Sequence, residues 1–125
     1  MELAVYLKSV LEQDRCPVVI CNLEHEIIYM NPAAADRYKK SGGASLIGSS
    51  LLDCHNEKSN ELIRKVLAWF QESTDHNIVY TFHNEKENKD VYMVALRDEQ
   101  GALIGYYEKH EYRTRETGER YRFTS

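Results

Sequence analysis

The sequence predicts a single α+β domain in which a five-stranded antiparallel sheet carries helices on one face, with an N-terminal amphipathic helix in front. Its 125 residues suit one hydrophobic core, because two domains of about sixty residues would rarely be stable without metals or disulfides. Short apolar runs typical of strands lie on both sides of a helical region. The last three strands have connections too short for parallel crossovers, so they must pair antiparallel.

Residues 2–13 are predicted to form a short amphipathic helix. Apolar side chains recur there at the spacing of one helical face, at Leu3, Leu7, Val10 and Leu11. A helix of about three turns is marginal alone in water, so it must gain stability by packing. We expect it to pack on the sheet face that lacks helices, either in its own chain or in a second copy.

A hairpin and a short helix follow. Strands are predicted at 17–22 and 27–30, with a tight connection between them. A helix is predicted at 32–38, because Asn31 is a good N-cap and Pro32 suits the first helical position. The glycine-containing segment after this helix is predicted to be a loop.

The longest helix is predicted from its N-cap Asn56 to about Glu72, after one helical turn at 49–54. Its apolar face consists of Leu62, Ile63, Val66, Leu67 and Phe70. Three strands follow, joined by polar turns, at 76–83, 89–97 and 103–112. The helices between the second and third strands would cover one face of the sheet.

These elements divide the chain into an N-terminal helix (1–14), a domain (15–112) and a C-terminal tail (113–125). The tail carries four arginines against two glutamates, a local charge of +2, and we expect it to be a solvated extension. The alternative for the tail is contact with nucleic acid or an acidic partner. The whole chain has a net charge of −4, which argues against sequence-independent binding to nucleic acid.

Neither a membrane span nor a signal peptide is predicted. No apolar run reaches about 18 residues, and the N-terminal segment lacks a small-residue cleavage site. The three cysteines, Cys16, Cys21 and Cys54, are too sparse for a disulfide framework, so we expect a reducing, cytoplasmic setting. No CxxC pair is present, and a structural zinc site is therefore not predicted.

Tyrosines on the predicted strands leave two interpretations open. They are Tyr29, Tyr80, Tyr92, Tyr106 and Tyr107. Some of them can point inward and offer hydroxyl groups to a ligand in an otherwise apolar pocket. Alternatively, they pack on the outer sheet face and form a dimer or domain interface.

Three stretches, in this order, carry a family resemblance. They are PVVICNLEHEIIYMNPAA, a hairpin ending in Asn before a helix; LIGSSLLDCHNEKSNELIRKVL, a Gly-anchored turn before a long helix; and DVYMVALRDEQGALIGYYE, a strand pair with a polar turn. Over roughly residues 15–112 the chain resembles the PAS sensor-domain family. The resemblance implies a bacterial sensory or regulatory module that binds small molecules or proteins and signals through a homodimer interface. The ligand and any cofactor stay unknown, because a fold does not fix a function.

Within that family, the stretch LLDCHNEKS is similar to a subgroup found beside hemerythrin-like domains. That subgroup usually has Pro after the Cys-His pair, whereas this chain has Asn56. Cys54 and His55 are either a heme or metal ligand pair or a reactive thiolate near the long helix, or else a buried Cys and a His that hydrogen-bonds the loop. We favour the structural interpretation, because two adjacent ligands rarely hold a metal tightly.

Two chemistries known in PAS domains do not match. Photosensing members carry a reactive Cys three residues after the anchoring Gly, whereas the third residue after Gly48 is Leu51. Heme-binding members mostly carry their proximal His on the long helix, and no His lies between Asn56 and Asp75. Sensor kinases of the family attach an effector after the last strand. This chain ends in a tail there, so we expect an effector protein in trans.

The sequence thus predicts a non-catalytic sensory module with a small-molecule pocket between the long helix and the sheet. The candidate ligand-binding residues, chosen by predicted position, are Leu62, Val66, Tyr80, Tyr92, Val94, Tyr106 and His55. The alternation of side chains along strands could place half of them outside the pocket. The alternative function is a protein-interaction or dimerisation domain with a filled core. No Ser-His-Asp, paired-carboxylate or phosphate-loop arrangement is present, so we do not expect an enzyme.

Overall fold

The structure, a computed structural model, describes residues 2–121, with the side chain of Cys54 excepted. The helices are α1 (Leu3–Gln13), α2 (Pro32–Arg37) and α3 (Glu57–Glu72). The strands are β1 (Val19–Asn22), β2 (Ile27–Met30), β3 (Ile78–Asn84), β4 (Lys89–Arg97) and β5 (Leu103–Tyr112). Short 3₁₀ turns at Lys39–Ser41, Gly43–Leu46 and Leu51–Cys54 connect α2 to α3.

The strands form one sheet in the order β2-β1-β5-β4-β3, and each neighbouring pair is antiparallel. The central strand β5 pairs with both β1 and β4, so the N-terminal hairpin and the C-terminal strands share one sheet. The predicted fold class is confirmed. Within residues 2–121, no helix combines the length and the apolar character needed to cross a membrane.

The core lies between α3 and one face of the sheet, which we call the inner face. On α3, the buried apolar side chains are Ile63, Val66 and Phe70. The inner face contributes Cys21, Met93 and Tyr106 to the same buried cluster. Leu62 belongs to the predicted apolar face but is exposed, because it lies at the edge of the strip that meets the sheet.

Both predicted N-caps are confirmed. The Asn31 side-chain oxygen accepts a hydrogen bond of 2.9 Å from the Ala34 amide at the start of α2. The Asn56 oxygen accepts one of 2.8 Å from the Ser59 amide at the start of α3. These bonds satisfy amide groups that the first helical turn leaves free, so they fix where each helix begins.

Two strands begin later than predicted. β1 begins at Val19, because Pro17 has no N–H and the Val18 amide donates to the Asn31 side chain instead of to a strand. β3 begins at Ile78, and His76 precedes it. The His76 and Trp69 rings are stacked with their centres 3.9 Å apart, and His76 Nδ1 hydrogen-bonds the Trp69 carbonyl oxygen. These contacts hold the segment around His76 against the end of α3.

The helix α1 is held at its C-terminal end and is otherwise exposed. Asn31 Nδ2 donates to three carbonyl oxygens in this region, those of Leu11, Asp14 and Cys16. No residue of α1 is buried. Most of its apolar side chains remain open to solvent, with exposed fractions of 67% for Leu3, 55% for Leu7 and 69% for Val10, whereas Leu11 is half-buried. Within one chain, therefore, α1 does not bury its apolar side chains against the sheet.

Candidate functional site

A cavity of about 330 Å³ lies between the helices and the inner face of the sheet. We call it the main cavity. Its walls are mostly apolar and include Val19, Ile27, Met30, Leu46, Leu51, Ile63 and Met93. Its polar groups come from Tyr38, Ser41, His55, Tyr106, Glu108 and His110. A concave, largely apolar space with a few converging polar groups is typical of small-molecule sites.

A second cavity of about 270 Å³ adjoins the first, and we call it the side cavity. The residues that line both are Tyr38, His55, Ile63, Met93, Glu108 and His110. The side cavity adds two cationic side chains, Arg37 from α2 and Lys89 from β4. We refer to the region around Glu108 and His110, which line both cavities, and Lys89, which lines the side cavity, as the polar end.

The sheet register brings the polar end together. Lys89 pairs with Tyr112 and Val91 pairs with His110, so Lys89 and His110 are diagonal neighbours on the inner face. The exposed fractions are 1% for Lys89 and 8% for His110. The imidazole Nε2 of His110 hydrogen-bonds Glu108 at 3.1 Å. Among the described residues, Lys89 Nζ and His110 Nδ1 have no hydrogen-bond partner.

An ion pair borders the polar end. Arg37 donates two hydrogen bonds, of 2.7 and 2.8 Å, to the two carboxylate oxygens of Glu87. Asn84 Nδ2 donates a third, of 3.1 Å, to the same carboxylate. The Arg37 hydrogen bonds, and then the positive charge of Lys89, lower the pKa of Glu87 to about 2. Lys89 Nζ lies 3.4 Å from this carboxylate, an ion-pair distance without a well-aligned hydrogen bond.

Tyr106 forms another polar contact of the main cavity. Its hydroxyl oxygen lies 2.9 Å from Nδ1 of His25, which stands in the β1–β2 turn. Burial, and then the neighbouring Cys21, raise the pKa of the Tyr106 hydroxyl, so this group stays protonated. Burial, and then the charge of Arg64, lower the pKa of His25. Nδ1 of a neutral His25 accepts a hydrogen bond from the Tyr106 hydroxyl, and this bond holds the Tyr106 ring against the cavity.

Four of the seven predicted ligand-binding residues lie at or beside the cavities. Tyr106 and His55 line the main cavity, and Leu62 lines the side cavity. Val66 is buried in the same core cluster, one helical turn from Ile63. These positions follow from the helical phase of α3 and from the inward direction of Tyr106.

The other three predicted residues, Tyr80, Tyr92 and Val94, lie on the outer face of the sheet, and the candidate set is corrected there. Val91 and Met93 are buried on the inner face, so the alternation along β4 turns Tyr92 and Val94 outward. Tyr80 pairs with Tyr92 across β3 and β4, and it is 57% exposed. These side chains do not line the cavities described above.

On the outer face, the tyrosines belong to a polar cluster around Asp90. The carboxylate accepts hydrogen bonds from the Tyr80 hydroxyl at 3.0 Å and from Arg113 Nε at 2.6 Å, and His83 Nδ1 lies 2.7 Å from it. Arg113 and then His83 lower the pKa of Asp90 to about 2. Arg113 also donates to the Tyr92 hydroxyl oxygen at 2.7 Å. The cluster agrees with the surface interpretation of these tyrosines.

The pair Cys54-His55 is described in part. His55 Nδ1 lies 3.0 Å from the Leu51 carbonyl oxygen and lines both cavities, whereas the side chain of Cys54 lies outside the described residues. In the part of the chain that the structure describes, no three His, Cys, Asp or Glu side chains are grouped closely enough to hold a metal ion. The heme and metal interpretation therefore depends on His55 and stays a prediction.

Sequence reasoning missed the polar end. Lys89, Glu108 and His110 alternate with outward residues on two strands whose inner positions are otherwise apolar or aromatic. A charged residue in phase with Val91 and Met93 was a usable signal, because strand positions two apart share a face. This signal could be used only if the inward positions of β4 were known. The tyrosine at position 92 was predicted to face inward, which gave the opposite assignment.

Comparisons with known proteins agree with this architecture. A family model described as PAS domain matches residues 15–108 of the chain. A comparison with curated proteins gives no match.

Several solved structures have a similar fold. A C-terminal domain from Streptococcus mutans has a TM-score of 0.65 at 21% identity, covering 86% of this chain and 83% of that one. The PAS domain of a protein from Colwellia psychrerythraea has a TM-score of 0.65 at 13% identity, covering 88% and 96%. The PAS domain of BvgS from Bordetella pertussis has a TM-score of 0.58 at 13% identity, covering 90% and 88%. At such identities the similarity shows the fold.

Proposed function

The chain belongs to the PAS domain family, and we propose that it is a sensory module that binds a small molecule in the main cavity. The signal passes to a homodimer interface or to a partner protein. PAS domains are in general sensory modules without catalysis, and the proposal keeps this chain in that role. Within the proposal its setting is bacterial and cytoplasmic, and a reducing compartment suits Cys16 and Cys21, which form no disulfide among the described residues.

The observation that carries the proposal is the main cavity itself. Protein interiors are normally packed without voids larger than a water molecule, so about 330 Å³ of largely apolar space beside the core is unusual. A bound molecule would remove the apolar walls of that space from water. Within the proposal, the ligand contacts are His55, Leu62, Val66 and Tyr106 from the sequence prediction, together with Met30, Met93 and His110.

Extraction of the purified protein tests the proposal. Mass spectrometry of an organic extract should detect a stoichiometric small molecule, and Ile63→Phe, which fills the main cavity, should abolish it. Ile104→Phe is the matched control, because Ile104 is exposed on β5 and is absent from the cavity walls. Circular dichroism checks that both variants fold. Equal extracts from the two variants, or none from the wild-type protein, would count against the proposal.

A second candidate function is protein interaction without a ligand. It is favoured by the exposed apolar side chains of α1 and by exposed residues of the outer face, namely Ile78, Tyr80 and Ile104. In this version two chains pair symmetrically and α1 covers an outer face. Both candidate functions include a dimer. A small molecule in the organic extract would favour the first of them, and an extract without one would favour the second.

A third version uses His55 as a heme or metal ligand, with or without Cys54. This version is linked to the predicted similarity of LLDCHNEKS to the PAS subgroup found beside hemerythrin-like domains. A Soret band in the visible spectrum of the purified protein would favour heme. A colourless protein with an organic extract would favour the first proposal.

A further inference from the structure

The polar end of the cavities holds a buried lysine whose hydrogen bonds are incomplete. Lys89 is 1% exposed, and an ammonium group carries three N–H donors. Nζ contacts the Glu87 carboxylate at 3.4 Å and lies 5.6 Å from the centre of the Tyr112 ring. Neither contact is a well-formed hydrogen bond. A dehydrated cation in this situation is costly unless an acceptor, and best an anion, completes its shell.

The neighbouring carboxylates are already engaged. Both oxygens of Glu87 accept from Arg37, and one also accepts from Asn84. Glu108 is held by Nε2 of His110. Two cations, Arg37 and Lys89, thus face two carboxylates, so net charge does not attract an anion to this place. The unused hydrogen-bonding groups decide what can bind here.

Those unused groups are Lys89 Nζ and His110 Nδ1, two buried nitrogens that belong to residues lining the side cavity. His110 is 92% buried, since its exposed fraction is 8%. When Nε2–H donates to Glu108, Nδ1 is a second N–H donor in the protonated imidazolium form of His110. A carboxylate supplies acceptor oxygens for Lys89 Nζ and for the Nδ1–H of that imidazolium. A hydroxyl or an amide offers Lys89 only an uncharged acceptor, so its hydrogen bond lacks the ion-pair contribution.

Away from the residues that it shares with the side cavity, the main cavity is mostly apolar. Ile27, Met30, Leu46 and Leu51 line the main cavity away from the shared residues. From this juxtaposition we infer that the ligand is an amphipathic monocarboxylate. Its carboxylate binds Lys89 and His110, and its hydrocarbon body fills the main cavity. The inference rests on the proposed function and names the ligand class of that same site.

Isothermal titration with three matched probes tests this inference. Octanoate, octanamide and octan-1-ol share one hydrocarbon chain and differ in the head group. We expect octanoate to bind the wild-type protein roughly ten- to a hundredfold more tightly than the other two, as charge-assisted hydrogen bonds allow. Lys89→Met should remove that preference while leaving octan-1-ol affinity within about threefold.

Lys109→Met is the matched control, because Lys109 lies on β5 in the outward phase and pairs with Glu111. It should keep the octanoate preference. His110→Phe is a second variant and should lower octanoate affinity by itself.

Equal binding of the three probes, or a preference that survives Lys89→Met, would overturn the monocarboxylate inference and leave the small-molecule function standing. Absence of binding by all three probes would also overturn it. In that case the organic extract decides separately whether the proposed function survives.

Discussion

The buried amide side chain of Asn31 connects several segments of the chain by hydrogen bonds. Its exposed fraction is 0%, and it makes five side-chain hydrogen bonds. Two of them cap α2 and fix the Val18 amide, and the other three bind carbonyl oxygens in the last turn of α1 and just after it. Because Met30, its neighbour in sequence, lines the main cavity, Asn31 stands between the cavity and α1.

Asn31→Ala should therefore destabilise the protein by about 3 kcal/mol, because it leaves several buried amide and carbonyl groups without partners. Chemical unfolding in urea measures the change. The matched control Asn56→Ala removes an exposed N-cap and should cost about 1 kcal/mol. Equal losses for the two variants would show that Asn31 acts as an ordinary cap.

The Arg37–Glu87 pair gives stability a defined pH dependence. The pKa of Glu87 in the folded protein, about 2, lies below its ordinary value of 4.5. The folded state therefore binds this proton at a lower pH than the unfolded state does. The stabilisation is complete above the ordinary pKa and is lost as the pH falls through the folded value.

Glu87→Gln should remove that contribution. The difference in unfolding free energy between wild type and variant should be largest near neutral pH and should shrink as the pH falls from about 6 to about 2. Glu61→Gln is the control, since the Glu61–Lys65 pair is exposed on α3 and should give a small difference. A Glu87→Gln difference that stays constant with pH would contradict the assigned cause.

At the scale of elements, periodicity and caps predicted most of the fold. The helical spacing of Ile63, Val66 and Phe70 placed α3 correctly, and Asn31 and Asn56 marked two helix starts. Connection lengths then required antiparallel strands. These signals are local, so a single sequence carries them.

The site was predicted less well, because it depends on the phase of each strand. Tyr106 faces inward and Tyr107 is its outward neighbour, so the residue type does not reveal the face. A register irregularity between Tyr80 and Phe82 further shifts the alternation on β3. Lys89 was missed for a related reason: it contacts Glu87 and the Tyr112 ring, and Tyr112 lies beside it only in the folded chain.

The helix α1 exposes apolar side chains that burial would stabilise. Its exposed Leu3, Leu7 and Val10 can each gain up to roughly 1.5–3 kcal/mol on burial. A symmetric pair of chains would bury both copies at once. We expect the intact protein to be a dimer at micromolar concentration by light scattering, and a protein lacking residues 1–13 to be a monomer.

Leu3→Ser/Leu7→Ser is a milder variant that keeps the chain length and should weaken the dimer in the same direction. Lys8→Ser, an exposed polar position of α1, is its control. A monomeric intact protein would refute the dimer. A dimer unchanged by the truncation would move the interface to the outer face of the sheet.

At the scale of the whole molecule, the cavity joins parts of the chain that are distant in sequence. Met30 comes from the N-terminal hairpin, Ile63 from α3, and Met93 from the C-terminal strands. A molecule in this space would contact all of them. It would contact Met30, which precedes Asn31, and the Asn31 side chain binds the end of α1. The proposed sensor would transmit ligand binding to the dimer interface through these contacts.

The central claim, that the main cavity holds a small molecule, is tested most directly by methyl NMR of the methionines. The chain has three, and Met30 and Met93 both line the cavity. Protein labelled at the methionine methyl carbon is compared as purified, after unfolding and refolding to remove any ligand, and after return of its organic extract. We predict that the Met30 and Met93 signals shift on removal and return to their first positions when the extract is added. Spectra that are identical in all three states would contradict the claim.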